Sequence, residues 1–134
     1  MAMLMSSDVV ETNAGNWKEQ VLESKELVVV EFWHEQCPYC RMLEPVYVEL
    51  SKKYVGKLKF AKFNVYESPE NEKIAATYGI MGTPTLKFFC QGRPVQDVVG
   101  MLSRDFLEQA INFAMQKHGE CAEKSTALKL PYIS

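Results

Sequence analysis

The segment from Val28 to Arg41, VVVEFWHEQCPYCR, joins a strand pattern to a helix pattern through a short polar loop. Its first residues are apolar and β-branched, which is typical of a buried strand. Cys37 and Cys40 follow, separated by two residues, at the point where helical periodicity begins. A C-x-x-C pair at such a strand–loop–helix junction predicts a redox-active dithiol.

The placement of the two cysteines at a helix start predicts which chemistry they perform. If Cys37 caps the helix and Cys40 lies in its first turn, both side chains face the same way and can close a disulfide. The unpaired N–H groups and the positive end of the helix dipole favour the Cys37 thiolate, so its pKa should lie below the ~8.5 of a free cysteine. Pro38 suits the first helical position, and Tyr39 is expected to point outward as part of a docking surface.

Composition and charge limit the classes of protein and partner. The chain has 134 residues, which predicts one domain, and its net charge is −2, from 15 basic and 17 acidic residues. This balance gives no reason to expect a nucleic acid or an anionic membrane as partner. The segment from Met1 to Asp8 has neither the basic region nor the apolar run of a signal peptide, and no run approaches the ~20 apolar residues of a membrane span. A cytoplasmic location is therefore expected.

The periodicity along the chain predicts elements in the order βαβαβαββα. Strands are expected near 9–11, 27–32, 58–65, 85–90 and 94–99, and helices near 13–24, 38–55, 69–78 and 103–118. This order indicates an α/β fold with mostly parallel central strands and helices on both faces. The domain should span residues 1–119, and residues 120–134 should form a C-terminal tail. The last helix is expected to bury one stripe, namely Phe106, Leu107, Ala110, Ile111, Phe113 and Ala114.

A series of short motifs recurs in a characteristic order along residues 9 to 118. They are Glu31-Phe32-Trp33 before the cysteine pair, Pro45 in the following helix, Ala61-Lys62-Phe63-Asn64-Val65, Tyr78-Gly79-Ile80, Gly82-Thr83-Pro84-Thr85-Leu86, Phe89 with Gly92, and Gly100. In this order and spacing the chain resembles the thioredoxin family. The resemblance implies a thioredoxin fold, with a central mixed sheet flanked by helices on both faces, and the activity of a protein-disulfide oxidoreductase.

The resemblance also implies a substrate-binding surface. It suggests a cis peptide bond at Pro84, packed against the disulfide, and pairing of the Thr83 backbone with the substrate chain. The groove near Gly100 would complete the docking surface, together with Pro38 and Tyr39. Trp33 would lie under the active site, where packing is its simplest role.

Glu31 is unusual because it interrupts an otherwise apolar strand. Burial of a carboxylate is costly unless the group is paired or neutral, so its pKa is expected to be raised. A salt bridge between Glu31 and Lys62 is the structural interpretation. The resemblance implies in addition that Glu31 moves a proton to or from Cys40 through water, and both interpretations stay open. Glu31 and Lys62 are therefore included among the candidate catalytic residues with the two cysteines.

Three residues depart from the usual thioredoxin pattern. Pro38 and Tyr39 form the dipeptide of glutaredoxins, where thioredoxins usually have Gly-Pro. Gln36 stands where thioredoxins usually carry a tryptophan, and Glu31 stands where they usually carry an aspartate. These differences are expected to alter the redox potential and to make the docking surface less apolar.

The sequence predicts a Cys37/Cys40 dithiol–disulfide cycle acting on disulfide-containing proteins. A reductase or a dithiol electron donor would regenerate the protein, and neither a bound cofactor nor a metal is required. One alternative is a glutathione-linked, glutaredoxin-like oxidoreductase, and another is a redox-inactive binding or chaperone module. A structural zinc site would need two further ligands, and the remaining candidates, Cys90, Cys121, His34 and His118, show no paired spacing.

Overall fold

The computed structural model describes residues 8–100 and 103–118, and the predicted tail at 120–134, with Cys121, lies outside the described residues. Within these two ranges, five strands and three α-helices follow one another: β1 (Val9–Thr12), β2 (Val28–Trp33), α1 (Pro38–Lys53), β3 (Lys59–Asn64), α2 (Pro69–Thr77), β4 (Thr85–Cys90), β5 (Arg93–Val99) and α3 (Arg104–His118). A short π-helix at Lys18–Leu22 precedes β2.

The strands form one mixed sheet with the order β1-β3-β2-β4-β5. β1 and β2 run parallel to β3 on its two sides, whereas β4 is antiparallel to β2, and β5 is antiparallel to β4. The mixed sheet and its order of elements confirm the predicted thioredoxin fold. β2 is the central strand of the sheet, and the loop that leads to the cysteines follows its C-terminal end.

Apolar clusters cover both faces of the sheet. On one face, α1 and α3 pack against the sheet through residues that include Leu43, Tyr47 and Ile111. On the other face, Trp17 and Ala75 belong to a second cluster, from the π-helix region and α2. Because both faces are covered, β2 is apolar at nearly every position, and Glu31 is the exception.

The first predicted helix, at 13–24, is replaced by turns and the π-helix at Lys18–Leu22. The Asn13 side chain accepts hydrogen bonds from the backbone N–H groups of Gly15 and Asn16, at 2.8 and 3.2 Å. Such local bonds compete with the helical pattern. The backbone N–H of Glu23 then bonds the carbonyl of Lys18, five residues back, at 2.9 Å.

The buried stripe of α3 is narrower than predicted. Leu107, Ile111 and Ala114 are buried, whereas Phe106 and Phe113 are 51% and 54% exposed. The two phenylalanines are one heptad apart and share the outward side of the helix. The apolar pattern of α3 therefore overestimates how much of the helix contacts the sheet.

Candidate active site

Cys37 and Cys40 form a disulfide at the start of α1, with their Cα atoms 5.2 Å apart. Cys37 is the N-cap residue of the helix, and its Sγ accepts a hydrogen bond from the backbone N–H of Cys40 at 3.2 Å. Both cysteines are buried. Cys37 therefore lies at the positive end of the helix dipole, which is the environment that favours a thiolate.

The dipeptide between the cysteines faces outward. Pro38 occupies the first turn of α1, where its missing N–H leaves no helical bond unmade. Tyr39 is 49% exposed, as the sequence predicts for a residue beside the disulfide. These two side chains are available to an approaching partner.

Glu31 is a buried carboxyl group, exposed by only 1%. Within the part of the chain that the structure describes, neither of its carboxyl oxygens has a hydrogen-bond partner. Burial raises the pKa of Glu31 from 4.5 to about 8, against the opposing charge of Lys62, while Glu44 and Glu11 add to the rise. Glu31 therefore holds a proton at neutral pH and releases it slightly above.

The predicted salt bridge between Glu31 and Lys62 is wrong. The two residues are register partners on β2 and β3, but Lys62 Nζ lies 2.8 Å from Oε1 of Glu44. The ammonium of Lys62 also lies 4.4 Å from the ring centroid of Trp33, a cation–π distance. A lysine side chain is long enough to reach past its register partner, and the more accessible carboxylate of Glu44 is the one it binds.

A pocket of about 410 Å³ adjoins the second cysteine. It brings together several of the predicted site residues, and its lining is Trp33, His34, Glu35, Cys40, Arg41, Glu44 and Lys62. Glu31 is not part of this lining. The pocket therefore joins Cys40 to Lys62 and Glu44, with room for water between them.

The loop before β4 contains the other predicted site residues. The peptide bond between Thr83 and Pro84 is cis, as the family resemblance implies. The carbonyl of Pro84 accepts a hydrogen bond from the backbone N–H of Gly100 at 3.0 Å, so the loop is joined to the end of β5. Gly100 has a φ of 99°, a left-handed conformation that favours glycine.

A second groove, of about 390 Å³, runs beside Thr83. His34, Tyr66 and Met81 are part of its lining, and His34 also lines the pocket beside Cys40. Met81 is 96% exposed, and the rings of His34 and Tyr66 lie 5.0 Å apart. This groove presents the side chains of Tyr66 and Met81 next to Thr83 of the cis-proline loop.

Two residues near the site were missed from the sequence. Glu44 follows Cys40 by four positions on α1, and this spacing, which places both on one helix face, was the available signal. Tyr47 is fully buried, and its hydroxyl lies 3.0 Å from the carbonyl of Val29 and 2.8 Å from that of Ala61. No feature of the sequence distinguished the hydroxyl of Tyr47 from an apolar contact.

Metal ligands do not cluster in residues 8–100 and 103–118, where no group of three or more His, Cys, Asp or Glu side chains could hold an ion. Cys90 is a buried free thiol at the end of β4. In these same ranges, no helix has the length and apolar character to cross a membrane.

The family model named Thioredoxin matches residues 8–113. The chain belongs to the thioredoxin family. Among curated thioredoxins it is 41% identical over 105 residues to thioredoxin M5, chloroplastic, of Oryza sativa subsp. japonica, an alignment that covers 78% of this chain and 59% of the relative. It is 38% identical over 104 residues to thioredoxin M4, chloroplastic, of Arabidopsis thaliana, covering 78% and 52% of the two chains. Thioredoxin 1 of Nostoc sp. is 37% identical over 105 residues, covering 78% of this chain and 95% of the relative.

The chain spans only 52% to 59% of the length of these two plant thioredoxins. Their names also correct one prediction. The expected cytoplasmic location is contradicted, because the plant thioredoxins that the chain matches are named as chloroplastic proteins.

Proposed function

We propose that this protein is a thiol–disulfide oxidoreductase that reduces protein disulfides through a Cys37/Cys40 cycle. The observation that carries the proposal is the Cys37–Cys40 disulfide at the start of α1, with Cys37 as the N-cap residue. Membership of the thioredoxin family supports the same activity. The activity would need no bound cofactor, because the two thiols carry both electrons.

The cycle begins with Cys37. Its thiolate attacks one sulfur of a substrate disulfide, the substrate S–S bond breaks, and the other substrate sulfur leaves as a thiolate that takes a proton from solvent. Cys37 and the substrate are then joined by a mixed disulfide. The position of Cys37 at the helix start supports this assignment, because the helix dipole stabilises its negative charge.

Cys40 completes the cycle. Its thiol gives a proton through water to the ionised form of Glu31, which is the minor form at pH 7. The Cys40 thiolate attacks Cys37 Sγ, and the bond between Cys37 and the substrate breaks. The released substrate thiolate takes a proton from solvent, and Glu31 returns its own to solvent. The raised pKa of Glu31, about 8, suits this role, because a general base works best when its pKa is near the working pH.

Substrate docking would use the surface around the disulfide and the cis-proline loop. Tyr39 and Met81 supply exposed apolar side chains, and the backbone of Thr83 lies at the edge of the second groove. Gly100, bonded to Pro84, would border the same surface. Trp33 would support it from below, since its ring packs against the ammonium of Lys62.

The test is insulin reduction with dithiothreitol as electron donor, monitored through the aggregation of the released insulin B chain. Turnover by the wild-type protein and its loss in Cys37→Ser are expected. A redox-inactive binding module would give no turnover. Efficient turnover with glutathione as the only donor would favour the glutaredoxin-like alternative, which the Pro38-Tyr39 dipeptide suggests.

We also propose that this protein has a plastid-type location. It is supported by the names of the plant relatives, which are chloroplastic thioredoxins. Immunoblotting of fractionated cells from the source organism tests it. Recovery of the protein with the plastid fraction is expected, and recovery only in the cytosolic fraction would contradict it.

A further inference from the structure

The Lys62 side chain is held between two groups at the wall of the pocket beside Cys40. Its ammonium binds Oε1 of Glu44 at 2.8 Å and lies 4.4 Å from the Trp33 ring centroid. The Lys62 side chain is only 10% exposed, whereas that of Glu44 is 45% exposed. A largely buried cation is thus paired with a half-exposed carboxylate on α1.

Among residues 8–100 and 103–118, this arrangement leaves the carboxyl group of Glu31 without a hydrogen-bond partner. It lies opposite Lys62 across the β2–β3 pair, so the two side chains emerge from the same face of the sheet. Lys62 has two register partners with carboxyl groups, Glu31 on β2 and Glu11 on β1, and of these only Glu31 is buried. Three carboxyl groups thus surround the Lys62 side chain, and its ammonium binds that of Glu44.

We propose that Glu44 is a positioning residue for the exchange step: by binding Lys62 it keeps the ammonium from forming an ion pair with Glu31, the group that exchanges a proton with Cys40. This inference rests on the proposed function. Glu44 and Cys40 are four residues apart on α1 and line the same pocket, so Glu44 can act on the charges beside the resolving cysteine.

The charged and titratable groups around Glu31 come from three elements. Lys62 lies on β3, Glu11 on β1, and Glu44 and Tyr47 on α1, while the residue opposite on β4 is the uncharged Leu86. Of the four, only Lys62 is a cation. Lys62 still lowers the pKa of Glu31 through its charge, but its ammonium binds Glu44 and makes no ion pair with Glu31 among the described residues.

Removal of the Glu44 charge should lower the pKa of Glu31 in two ways. The negative charge of Glu44 itself adds to the raised pKa of Glu31, so its loss lowers that pKa. The freed Lys62 ammonium would also turn toward Glu31 and stabilise its ionised form. The pH at which Glu31 loses its proton should therefore fall.

The experiment is titration of the Glu31 carboxyl carbon by NMR in the wild-type protein and in Glu44→Gln, joined to the pH dependence of insulin reduction. In Glu44→Gln both midpoints should fall by about one pH unit. Glu44→Asp keeps the negative charge, so its two midpoints should shift by less than half as much as those of Glu44→Gln. Glu49→Gln is the matched control, because Glu49 lies on the same helix and binds Arg104 away from the pocket, and neither midpoint should move.

A second comparison isolates the route through Glu31. In a Glu31→Gln background, Glu44→Gln should leave the pH profile of turnover unchanged, because the group on which it acts is absent. An unchanged Glu31 midpoint in Glu44→Gln would overturn the inference, as would an equal shift in Glu49→Gln. The NMR titration needs no turnover, so failure of wild-type insulin reduction would refute the proposed function separately.

Discussion

The ammonium of Lys62 binds Glu44, although Glu31 is its register partner across the β2–β3 pair. This relationship leaves a protonated carboxyl group in the middle of an otherwise apolar strand. Burial, and not an ion pair, sets the pKa of that group at about 8. The candidate proton acceptor of the site therefore changes its charge close to physiological pH.

Glu31→Gln should slow turnover and change its pH dependence. The variant keeps the volume of the side chain but removes the group that accepts the Cys40 proton. We expect insulin reduction at pH 7 to fall by roughly 10- to 100-fold, at or below the low end of what a positioned acid–base group contributes. The inflection of the pH–rate profile near pH 8 should disappear. An unchanged profile would make Glu31 a purely structural residue.

The same variant should alter stability in a pH-dependent way. The pKa of Glu31 is raised in the folded state, so the unfolded state loses the proton first as pH rises, and the fold loses stability from about pH 4.5 until about pH 8. Relative to wild type, Glu31→Gln should therefore gain about 3 kcal/mol of unfolding free energy between pH 5 and pH 8. Urea denaturation of both oxidised proteins at the two pH values measures this difference. If the free energy of unfolding of the variant differs from that of wild type by the same amount at pH 5 and at pH 8, the raised pKa is contradicted.

Cys37 should be the attacking thiol, and Cys40 the resolving one. Cys40→Ser is expected to accumulate mixed disulfides with substrate proteins, because the second attack cannot occur, whereas Cys37→Ser should accumulate none. Non-reducing gels followed by mass spectrometry identify the linked cysteine. Faster labelling of Cys40 than of Cys37 by iodoacetamide at neutral pH, in the reduced protein, would reverse the assignment.

The redox potential should lie above that of an ordinary thioredoxin. Pro38 and Tyr39 form the dipeptide typical of glutaredoxins, whose potentials are about −200 to −230 mV, compared with about −270 mV for thioredoxin. We expect about −220 to −260 mV for the Cys37/Cys40 couple in a glutathione titration. The double variant Pro38→Gly/Tyr39→Pro restores the usual thioredoxin dipeptide and should be more reducing. A wild-type value at or below that of thioredoxin would show that the dipeptide does not control the potential in this fold.

Tyr47→Phe should weaken the fold without affecting redox chemistry. The Tyr47 hydroxyl contacts carbonyls of β2 and β3, and its removal leaves buried acceptors with one partner fewer. A loss of about 1–3 kcal/mol is expected in urea denaturation. Tyr54→Phe is the matched control, because its hydroxyl contacts the side chain of Asn112 at 3.2 Å, and its loss should be smaller. Equal losses of unfolding free energy in the two variants would show that the contacts of Tyr47 with the two strand carbonyls add no stability.

Local interactions explain why much of this protein could be predicted from its sequence. Cys37 and Ser68 both cap their helices, and in each case the side chain accepts the backbone N–H of the residue three positions on. The apolar run of β2 predicted a strand covered on both faces, and the order of the elements predicted helices on each side of the sheet, while its mixed character was implied by the family resemblance. Such features depend on residues a few positions apart, so the sequence displays them directly.

Long-range packing determined what the sequence could not. The partner of Lys62 depends on how closely α1 approaches β3, because a lysine side chain can reach several carboxylates, and only the packed structure selects Glu44. The exposure of Phe106 and Phe113 likewise depends on how α3 packs on the sheet. The sequence alone therefore determined the fold class and the cysteine pair, whose signals are local. The tertiary structure decided the charge environment of Glu31, because that environment is a sum over side chains from three different elements.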